Sequence, residues 1–478
     1  MLLQPSRGLD LLPPAKLSAV QPTQPAAVVH PAEMGTTTLC QVAQARAGMP
    51  VPSITLNNWV SSVTVALVAY HRTRSGEINM GNSADNTDVV ILAAARTPQG
   101  RINGQLASFT AVELGAHAIR AALDASGVDA GQVEAVIMGQ VLQAGAGQNP
   151  ARQSSIGAGI GWNVPAVTVN KVCLSGLTAV IDAARMIRGG EASVVVAGGQ
   201  ESMTRAPHLL PGSRQGWTYG SIQALDAAAH DGLTDAFDGQ SMGLSTETRN
   251  LALGIDRPSQ DNVAAHSHQR AALAAKNGTF DDEIVPISVK QRKGDPIVVS
   301  TDEGVRPNAS VESMAGLRAA FVTDGTITAG NSSPLSDGAA ALILSSRAFA
   351  EEHGLEYLAV VGKPGQVAGP DNSLHSQPSN AIQNALGRAG WTTADLDFIE
   401  INEAFGSVAV QSLKDLDYPL EKCNIHGGAI ALGHPIGASG ARLAGHAAHE
   451  LKRRGKGKAA VSLCGGGGQG EALLLYRD

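Results

Sequence analysis

Two cysteines and one histidine stand in settings suited to sulfur chemistry. Cys173 lies in Asn170-Lys171-Val172-Cys173-Leu174-Ser175-Gly176-Leu177, and Cys464 opens Cys464-Gly465-Gly466-Gly467-Gly468-Gln469-Gly470. Between them His434 sits in Gly433-His434-Pro435-Ile436-Gly437-Ala438-Ser439-Gly440. A thiolate is a strong nucleophile, and it needs a neighbour that raises its ionised fraction and often a second acid or base. A buried cysteine is more often an inert small apolar residue, which is the reading for Cys423. Cys173 differs because polar Asn170 and Lys171 precede it and a Ser-Gly helix start follows. At Cys464 the glycine run removes side chains at an entropic cost, which predicts the close approach of a ligand.

Other patterns carry less. Gly465-x-Gly467-x-x-Gly470 matches a dinucleotide fingerprint by letter, but the sequence has no room for the βαβ unit that motif requires. Cys423-x-x-His426 with His446-x-x-His449 has zinc-like spacing, yet the glycine-rich His434 turn intervenes, and the reading is against a metal. The basic run Lys452 to Lys458 reads as cations at a helix C-terminus before a Gly stop, not as a nucleic-acid patch.

Elements must bring these residues together across nearly 300 positions. From Asp88 onward strand-like and helix-like segments alternate: a buried strand to Ala95, a helix over 111–125, a strand over 135–139, a helix over 177–188 and a strand over 193–197. That alternation predicts α/β layers. A loose repeat is also visible. Ser175-Gly176 opens a helix ending at Arg188-Gly189-Gly190, and the next strand runs into Gly198-Gly199. Ser439-Gly440 opens another ending at Arg454-Gly455, and the next strand runs into Cys464-Gly465. Two similar halves would set Cys173 and His434 at corresponding helix starts, where N-terminal N–H groups favour a thiolate and an oxyanion. Residues 204–335 are more polar and less regular, with a charged helix over 262–276 and a turn at Lys293-Gly294-Asp295-Pro296. They read as an inserted subdomain for substrate recognition.

The 478 residues, 43% hydrophobic and 16% charged, describe a globular chain with room for two or three domains. A net charge of −7 gives no reason to expect nucleic acid as a partner. Four scattered cysteines (Cys40, Cys173, Cys423, Cys464) do not make a disulfide framework and point to a reducing cytoplasm. No window reaches about 18 uninterrupted apolar residues, and Val60 to Tyr70 is short and interrupted, so no membrane span is expected. The first 79 residues hold 8 of the 23 prolines and a net charge of +2, without periodicity. They fit a signal sequence poorly. The expectation is that Met80 is the native start and that residues 1–86 form a disordered or non-native extension, which N-terminal sequencing of the natively expressed protein would overturn by finding a start near Met1.

The segments around Cys173, Asn402-Glu403-Ala404-Phe405-Gly406, Gly427-Gly428-Ala429-Ile430-Ala431-Leu432-Gly433-His434-Pro435 and Cys464-Gly465-Gly466-Gly467-Gly468 together resemble the thiolase family. Arg96-Thr97-Pro98, Gly198-Gly199-Gln200-Glu201-Ser202-Met203 and Thr328-Ala329-Gly330-Asn331 resemble further signatures of it. The resemblance runs over residues 87–478 and is nearest to acetyl-CoA C-acetyltransferases. It implies an α/β fold of two similar βαβαβαββ halves packed as five layers, α-β-α-β-α, with an inserted loop subdomain. The halves would be 87–203 with 336–357, and 358–478, around the insertion 204–335.

The resemblance also implies a ping-pong Claisen condensation in fatty acid metabolism. Cys173, activated by His434, would take the acetyl group, and Cys464 would deprotonate a second acetyl-CoA. His434 and a water held by Asn402 would cradle the enolate, and the amides of Cys173 and Gly466 the oxyanion. Ser333, Arg306, Met242 and His208 align with positions along the coenzyme A tunnel or its approach. Coenzyme A thioesters would be substrates, with no separate cofactor and no metal, and relatives are homodimers or homotetramers. Departures lie at Ser241, where some relatives have histidine, at His426, often asparagine, and along Gly369–His375 in the pocket wall; they bear on acyl-chain preference. The alternatives are a degradative 3-ketoacyl-CoA thiolase for longer chains and a non-catalytic acyl-CoA- or lipid-binding relative. Ketosynthases, which pair cysteine with two histidines, are disfavoured by Asn402 and Cys464.

Overall fold

The computed structural model describes residues 88–478, and the expectations for Cys40, Val60–Tyr70 and the Met80 start lie outside them. The first half runs β1 (Val89–Arg96), α1 (Ala111–Ser126), β2 (Ala135–Gly139), α2 (Pro150–Gly157), β3 (Ala166–Val169), α3 (Ser175–Arg188) and β4 (Val194–Ser202), and closes with β5 (Ser336–Ser346). Between β4 and β5 lie α4 (Met242–Leu253), α5 (Arg257–Lys276) and a hairpin of Ile287–Val289 with Ile297–Val299, turning at the predicted Lys293–Pro296. The second half runs β6 (Ala359–Ala368), α6 (Gln377–Ala389), β7 (Phe398–Ile401), α7 (Gly406–Leu416), α8 (Ser439–Arg454), β8 (Gly457–Gly465) and β9 (Gln469–Arg477).

The strands form one ten-stranded sheet in the order β7-β8-β9-β6-β1-β5-β4-β2-β3, with Gly100–Arg101 added against β5. The two half-sheets join where β1 meets β6, over Val89–Ile91 against Ala359–Val361. Side chains alternate across each strand, and both faces are covered by helices. On β1, Val89 and Ile91 face the central core with α3 and α8, while Val90 and Leu92 face α1. On β9, Leu473 and Leu475 face the same central core, and Ala472 and Leu474 face α6 and α7. The layers are therefore outer helices, half-sheet, the α3–α8 pair, half-sheet, outer helices. The halves share their element order except at one place: where β3 stands in the first half, the second has a single parallel bridge, Ile399 to Cys423.

Helix ends follow local chemistry. Thr110 and Glu113 form a capping box on α1, which ends at left-handed Gly127. The helix expected from Asn262 starts earlier, because Asp256 caps α5 and a proline occupies its first turn. The strand expected to stop at Ala197 continues through Gly198 and Gly199 to Ser202. Those glycines do not break β4; a Cβ on Gly199 would stand 2.1 Å from Gly437 O, so the gap admits the His434 turn.

The repeated Ser-Gly helix starts meet at the centre. A Cβ on Gly176 would lie 2.9 Å from Ala441 N, and one on Gly440 would lie 2.4 Å from Leu177 N. The first turns of α3 and α8 thus touch backbone to backbone. We predict that Gly440→Ala forces them apart and lowers stability by about 1–3 kcal/mol. A fall in the urea unfolding midpoint is the expected reading; an unchanged midpoint would show that the crossing has slack.

Candidate active site

The turn from β3 into α3 presents Cys173 through a strained neighbour. Val172 has φ 51°, a left-handed conformation that a β-branched residue rarely adopts. Short bonds hold it there. Val172 N donates to Asn170 Oδ1 at 3.1 Å, Lys171 N to Ser175 Oγ at 2.8 Å, and Ser175 Oγ to Val172 O at 2.6 Å. Lys171 Nζ reaches the buried Glu471 on β9 at 3.0 Å, and Thr178 Oγ1 donates to the same carboxylate at 2.6 Å. The Cys173 turn is thereby anchored to the opposite half.

His434 follows the short helix Ala429–Leu432 and Gly433, whose φ of 118° only glycine adopts readily. Its backbone N donates to Ser336 Oγ at 3.0 Å. On the ring, Nδ1 lies 2.6 Å from Ser439 Oγ, and that hydroxyl donates its own proton to Pro435 O at 3.0 Å. Ser439 must therefore accept from Nδ1–H, which assigns the tautomer and leaves Nε2 as the base. Asn402, placed after β7 by its N–H to Ser462 O at 2.9 Å, sets Nδ2 3.3 Å from that Nε2. Asn402 Oδ1 is buried with no hydrogen-bond partner among the described residues.

Burial sets the proton inventory. It pushes the Cys173 thiol up to about 12, with the Glu201 carboxylate adding to it. Cys464 is likewise raised by burial and then by Cys173 nearby. His434 is pulled down to about 3 by burial, with the Arg442 guanidinium reinforcing it. Desolvation here opposes the N-terminal field that favours a thiolate at a helix start. Burial thus favours the neutral thiol and the neutral imidazole, and the unprotonated Nε2 is the acceptor available to the thiol proton.

Cys173, His434 and Cys464 line one cavity of about 280 Å³ together with Met242 and Ser333. Gly466 adjoins it; a Cβ there would meet Val172 Cγ1 at 3.3 Å and Met242 Cε at 3.5 Å. Two residues aligned with the coenzyme A approach fall elsewhere. Arg306 lines a separate concavity of about 460 Å³ with His268 and Ser313, its N donating to His268 Nδ1 at 3.2 Å. His208 is exposed on a two-stranded ribbon with Asp226 opposite.

The glycine run after Cys464 answers to the chain itself more than to a ligand. A Cβ on Gly465 would lie 2.6 Å from Leu174 Cγ, and one on Gly468 1.9 Å from Asp371 O. The segment Gly369–His375 therefore rests on the Cys464 loop, and Leu374 enters the cavity wall. Ser241 also lines the cavity and caps α4, accepting from Leu244 N at 3.3 Å. His426 Nδ1 pairs with His446 Nε2 at 3.2 Å, while His446 Nδ1 meets Glu283 at 2.8 Å and His449 Nε2 the Ala94 carbonyl at 2.8 Å. These imidazoles are engaged with each other and with protein acceptors.

Ser439 and Glu201 escaped the sequence reading. Ser439 lies only five residues past His434, but nothing in the sequence says that a helix start folds back onto the ring. Glu201 sits in the Gly198–Met203 signature and, fully buried, accepts from Val141 N at 3.0 Å, Leu142 N at 3.2 Å and Gly437 N at 3.0 Å. Burial raises it to about 7 despite those donors.

Two outcomes follow. Ser439→Ala frees the ring and is expected to slow acyl transfer roughly 10- to 100-fold with little change in the unfolding midpoint; undiminished single-turnover rates would contradict the tautomer assignment. Glu201 binds a proton more tightly folded than unfolded, so its contribution is full below the unfolded carboxyl range near 4.5 and is lost as pH rises through about 7. The stability difference between wild type and Glu201→Gln is therefore expected to shift against wild type between pH 5 and 8; a pH-independent difference in denaturant titrations would refute this.

Comparisons with known proteins converge on one family. Residues 89–348 match the model described as "Thiolase, N-terminal domain", and residues 355–477 match "Thiolase, C-terminal domain". A probable acetyl-CoA acetyltransferase of Mycolicibacterium smegmatis is 57% identical over 388 residues, covering 81% of this chain and 100% of the relative. The acetyl-CoA acetyltransferase of Cupriavidus necator is 50% identical over 391 residues, covering 82% and 100%. The crystal structure of the Bacillus anthracis acetyl-CoA acetyltransferase superposes with a TM-score of 0.78 at 39% identity, covering 81% of this chain and 98% of that one. The chain belongs to the thiolase family, and it is an acyltransferase.

Proposed function

We propose that the protein is an acetyl-CoA C-acetyltransferase, condensing two acetyl-CoA to acetoacetyl-CoA and coenzyme A, and running the reverse thiolysis. The observation that carries this reading is the convergence of two cysteine thiols and a singly oriented imidazole on one apolar-walled cavity. The names of its relatives support the acetyl preference.

In the first half-reaction Cys173 Sγ gives its proton to His434 Nε2 and attacks the thioester carbonyl of acetyl-CoA. The coenzyme A thiolate leaves and recovers the proton from the imidazolium. In the second, Cys464 Sγ passes its proton to His434 Nε2, the thiolate so formed removes a proton from the methyl group of another acetyl-CoA, and the enolate attacks the acetyl carbonyl on Cys173. The Cys173 thiolate is expelled and takes its proton from the His434 imidazolium, with Cys464 already restored to the thiol. A carbon acid needs both a base and stabilisation of the enolate oxygen. Asn402, beside His434 Nε2 with an unpartnered Oδ1, suits the role of orienting a water toward that oxygen. The amides of Cys173 and Gly466 are assigned to the tetrahedral oxyanion, and Ser333 and Met242, in the cavity wall, to the pantetheine arm. Arg306 is assigned to the distal end of coenzyme A, since it lies outside the reaction cavity on the inserted segment.

Incubation with acetyl-CoA followed by peptide mapping is expected to place the acetyl group on Cys173. Cys173→Ala should abolish both half-reactions, whereas Cys464→Ala should keep acetyl-enzyme formation and lose condensation. Equal loss of both steps in Cys464→Ala would break this division of roles. Steady-state comparison of acetoacetyl-CoA with longer 3-ketoacyl-CoA substrates tests the acyl preference, and a higher kcat/KM for longer chains would favour the degradative reading.

A further inference from the structure

Leu473 and Leu475 of β9 point into the apolar layer that holds α3, and Glu471, two residues earlier on the same face, puts a carboxylate there. It is fully buried. Three donors from separate segments meet on it. Lys171 Nζ, two residues before Cys173, bonds Oε1 at 3.0 Å, and Thr178 Oγ1, in the first turn of α3, bonds Oε2 at 2.6 Å. Gln366 Nε2, from the paired position on β6, also donates to Oε1. Gln366 Oε1 in turn accepts from Arg185 Nη2, two turns further along α3, at 2.6 Å.

Cys464 lies at the other end of this arrangement. In the β8–β9 hairpin Leu463 pairs with Glu471 and Cys464 with Gly470, so the carboxylate stands one residue from the strand position opposite the second thiol. A polar link between the two sulfur-bearing segments therefore runs through Lys171 and Glu471. Neither residue lines the reaction cavity. The contacts that accompany the link are apolar, Leu174 against Gly465 and Val172 against Gly466.

Apolar packing alone does not hold such a spacing. It is non-directional, so α3 can slide along β9 by a fraction of an ångström at little cost. Charge-assisted hydrogen bonds converging on one fixed carboxylate permit a single position. Stability does not explain the carboxylate. Replacing a buried ion pair by apolar residues of similar volume is often neutral or stabilising, and an apolar residue at 471 would continue the face of Leu473 and Leu475.

The proposed reaction needs this spacing in one step only. Acetyl transfer to Cys173 uses His434, whose ring is held by Ser439 and whose loop leads into the Gly176–Gly440 crossing. Condensation also uses Cys464. Its sulfur must reach the methyl group of the second acetyl-CoA while that same carbon faces the acetyl group on Cys173.

We propose that Glu471 is a positioning residue for condensation: by binding Lys171 and Thr178 from beside the strand partner of Cys464, it fixes the separation of the two thiols. This rests on the reading of Cys173 as nucleophile and Cys464 as base. It requires that loosening the link harms the second half-reaction more than the first.

The test compares wild type, Glu471→Leu, Glu471→Gln and Lys171→Met in two single-turnover measurements. One is acetylation of Cys173 by acetyl-CoA; the other is formation of acetoacetyl-CoA when the isolated acetyl-enzyme meets acetyl-CoA. Glu471→Leu is expected to slow the second step roughly 10- to 100-fold and the first by less than about threefold, since a misplacement of about 1 Å costs that much in an aligned transfer. Glu471→Gln keeps an acceptor for Lys171 or Thr178 and should recover most of the loss. Lys171→Met should slow the second step by a smaller factor and leave the first unchanged. Equal slowing of both steps in Glu471→Leu overturns the proposal, as does an unchanged second step or an equal loss in the Gln and Leu variants. If Glu471→Leu does not fold, the partly exposed Lys171 decides, and a wild-type ratio of the two rates in Lys171→Met overturns the proposal. A wild type that forms no acetyl-Cys173, or whose acetyl-enzyme makes no acetoacetyl-CoA, would instead overturn the proposed reaction, so the two failures are distinguishable.

Discussion

The close crossing of α3 and α8 is the constraint on which the rest depends. Gly176 and Gly440 let the two first turns approach to backbone contact. Each helix start carries its own reactive loop: Cys173 just before α3, and His434 five residues before the serine that opens α8. Any side chain at the crossing would separate nucleophile from base. The crossing also forms the middle layer, because its remaining surface, from Leu177 to Ala184 and from Ala441 to Leu451, supplies the core between the half-sheets. Packing and chemistry thus share one interface, and the buried Glu471 ties the Cys173 turn to the far half across it.

Burial then decides what chemistry is possible. Both thiols are raised and the imidazole is lowered, so burial favours the uncharged form of all three. Fixed polarity is supplied from outside the cavity, by Ser439, Asn402 and the buried carboxylate of Glu201, which holds the Val141–Leu142 backbone to Gly437. Such groups need no reorganisation during the reaction, and that is the physical basis of preorganised catalysis.

Much of this was legible in the sequence. The alternation of apolar strands and amphipathic helices gave the α/β class because period and turn residues are local properties. The Ser-Gly repeat gave the facing halves, and Cys173, His434 and Cys464 stood out by their neighbours. Asn402 needed the family resemblance, since a lone asparagine after a short strand carries no signal. What failed were inferences about what glycines approach. Gly198–Gly199 looked like a strand end and instead admits the Gly437 turn within a continuing strand. Gly465 and Gly468 looked ligand-facing and instead accommodate Leu174 and the Asp371 backbone. A glycine reveals that something comes close, but the identity of that neighbour is a long-range fact. Arg306 and His208 lie on the insertion, where alignment does not fix distance to the cysteines, and neither lines the cavity that holds Cys173 and Cys464.

The position of β5 has a consequence for how the chain is made. It lies between β1 and β4, yet it begins at Ser336, long after β4 ends at Ser202. A ribosome releases β1, β2, β3 and β4 well before the strand that unites them. Until then β1 and β4 each present an unpaired apolar edge, the kind of surface that recruits other chains. The insertion is therefore also a delay, and its length sets how long the nascent protein must be shielded before its first half can close.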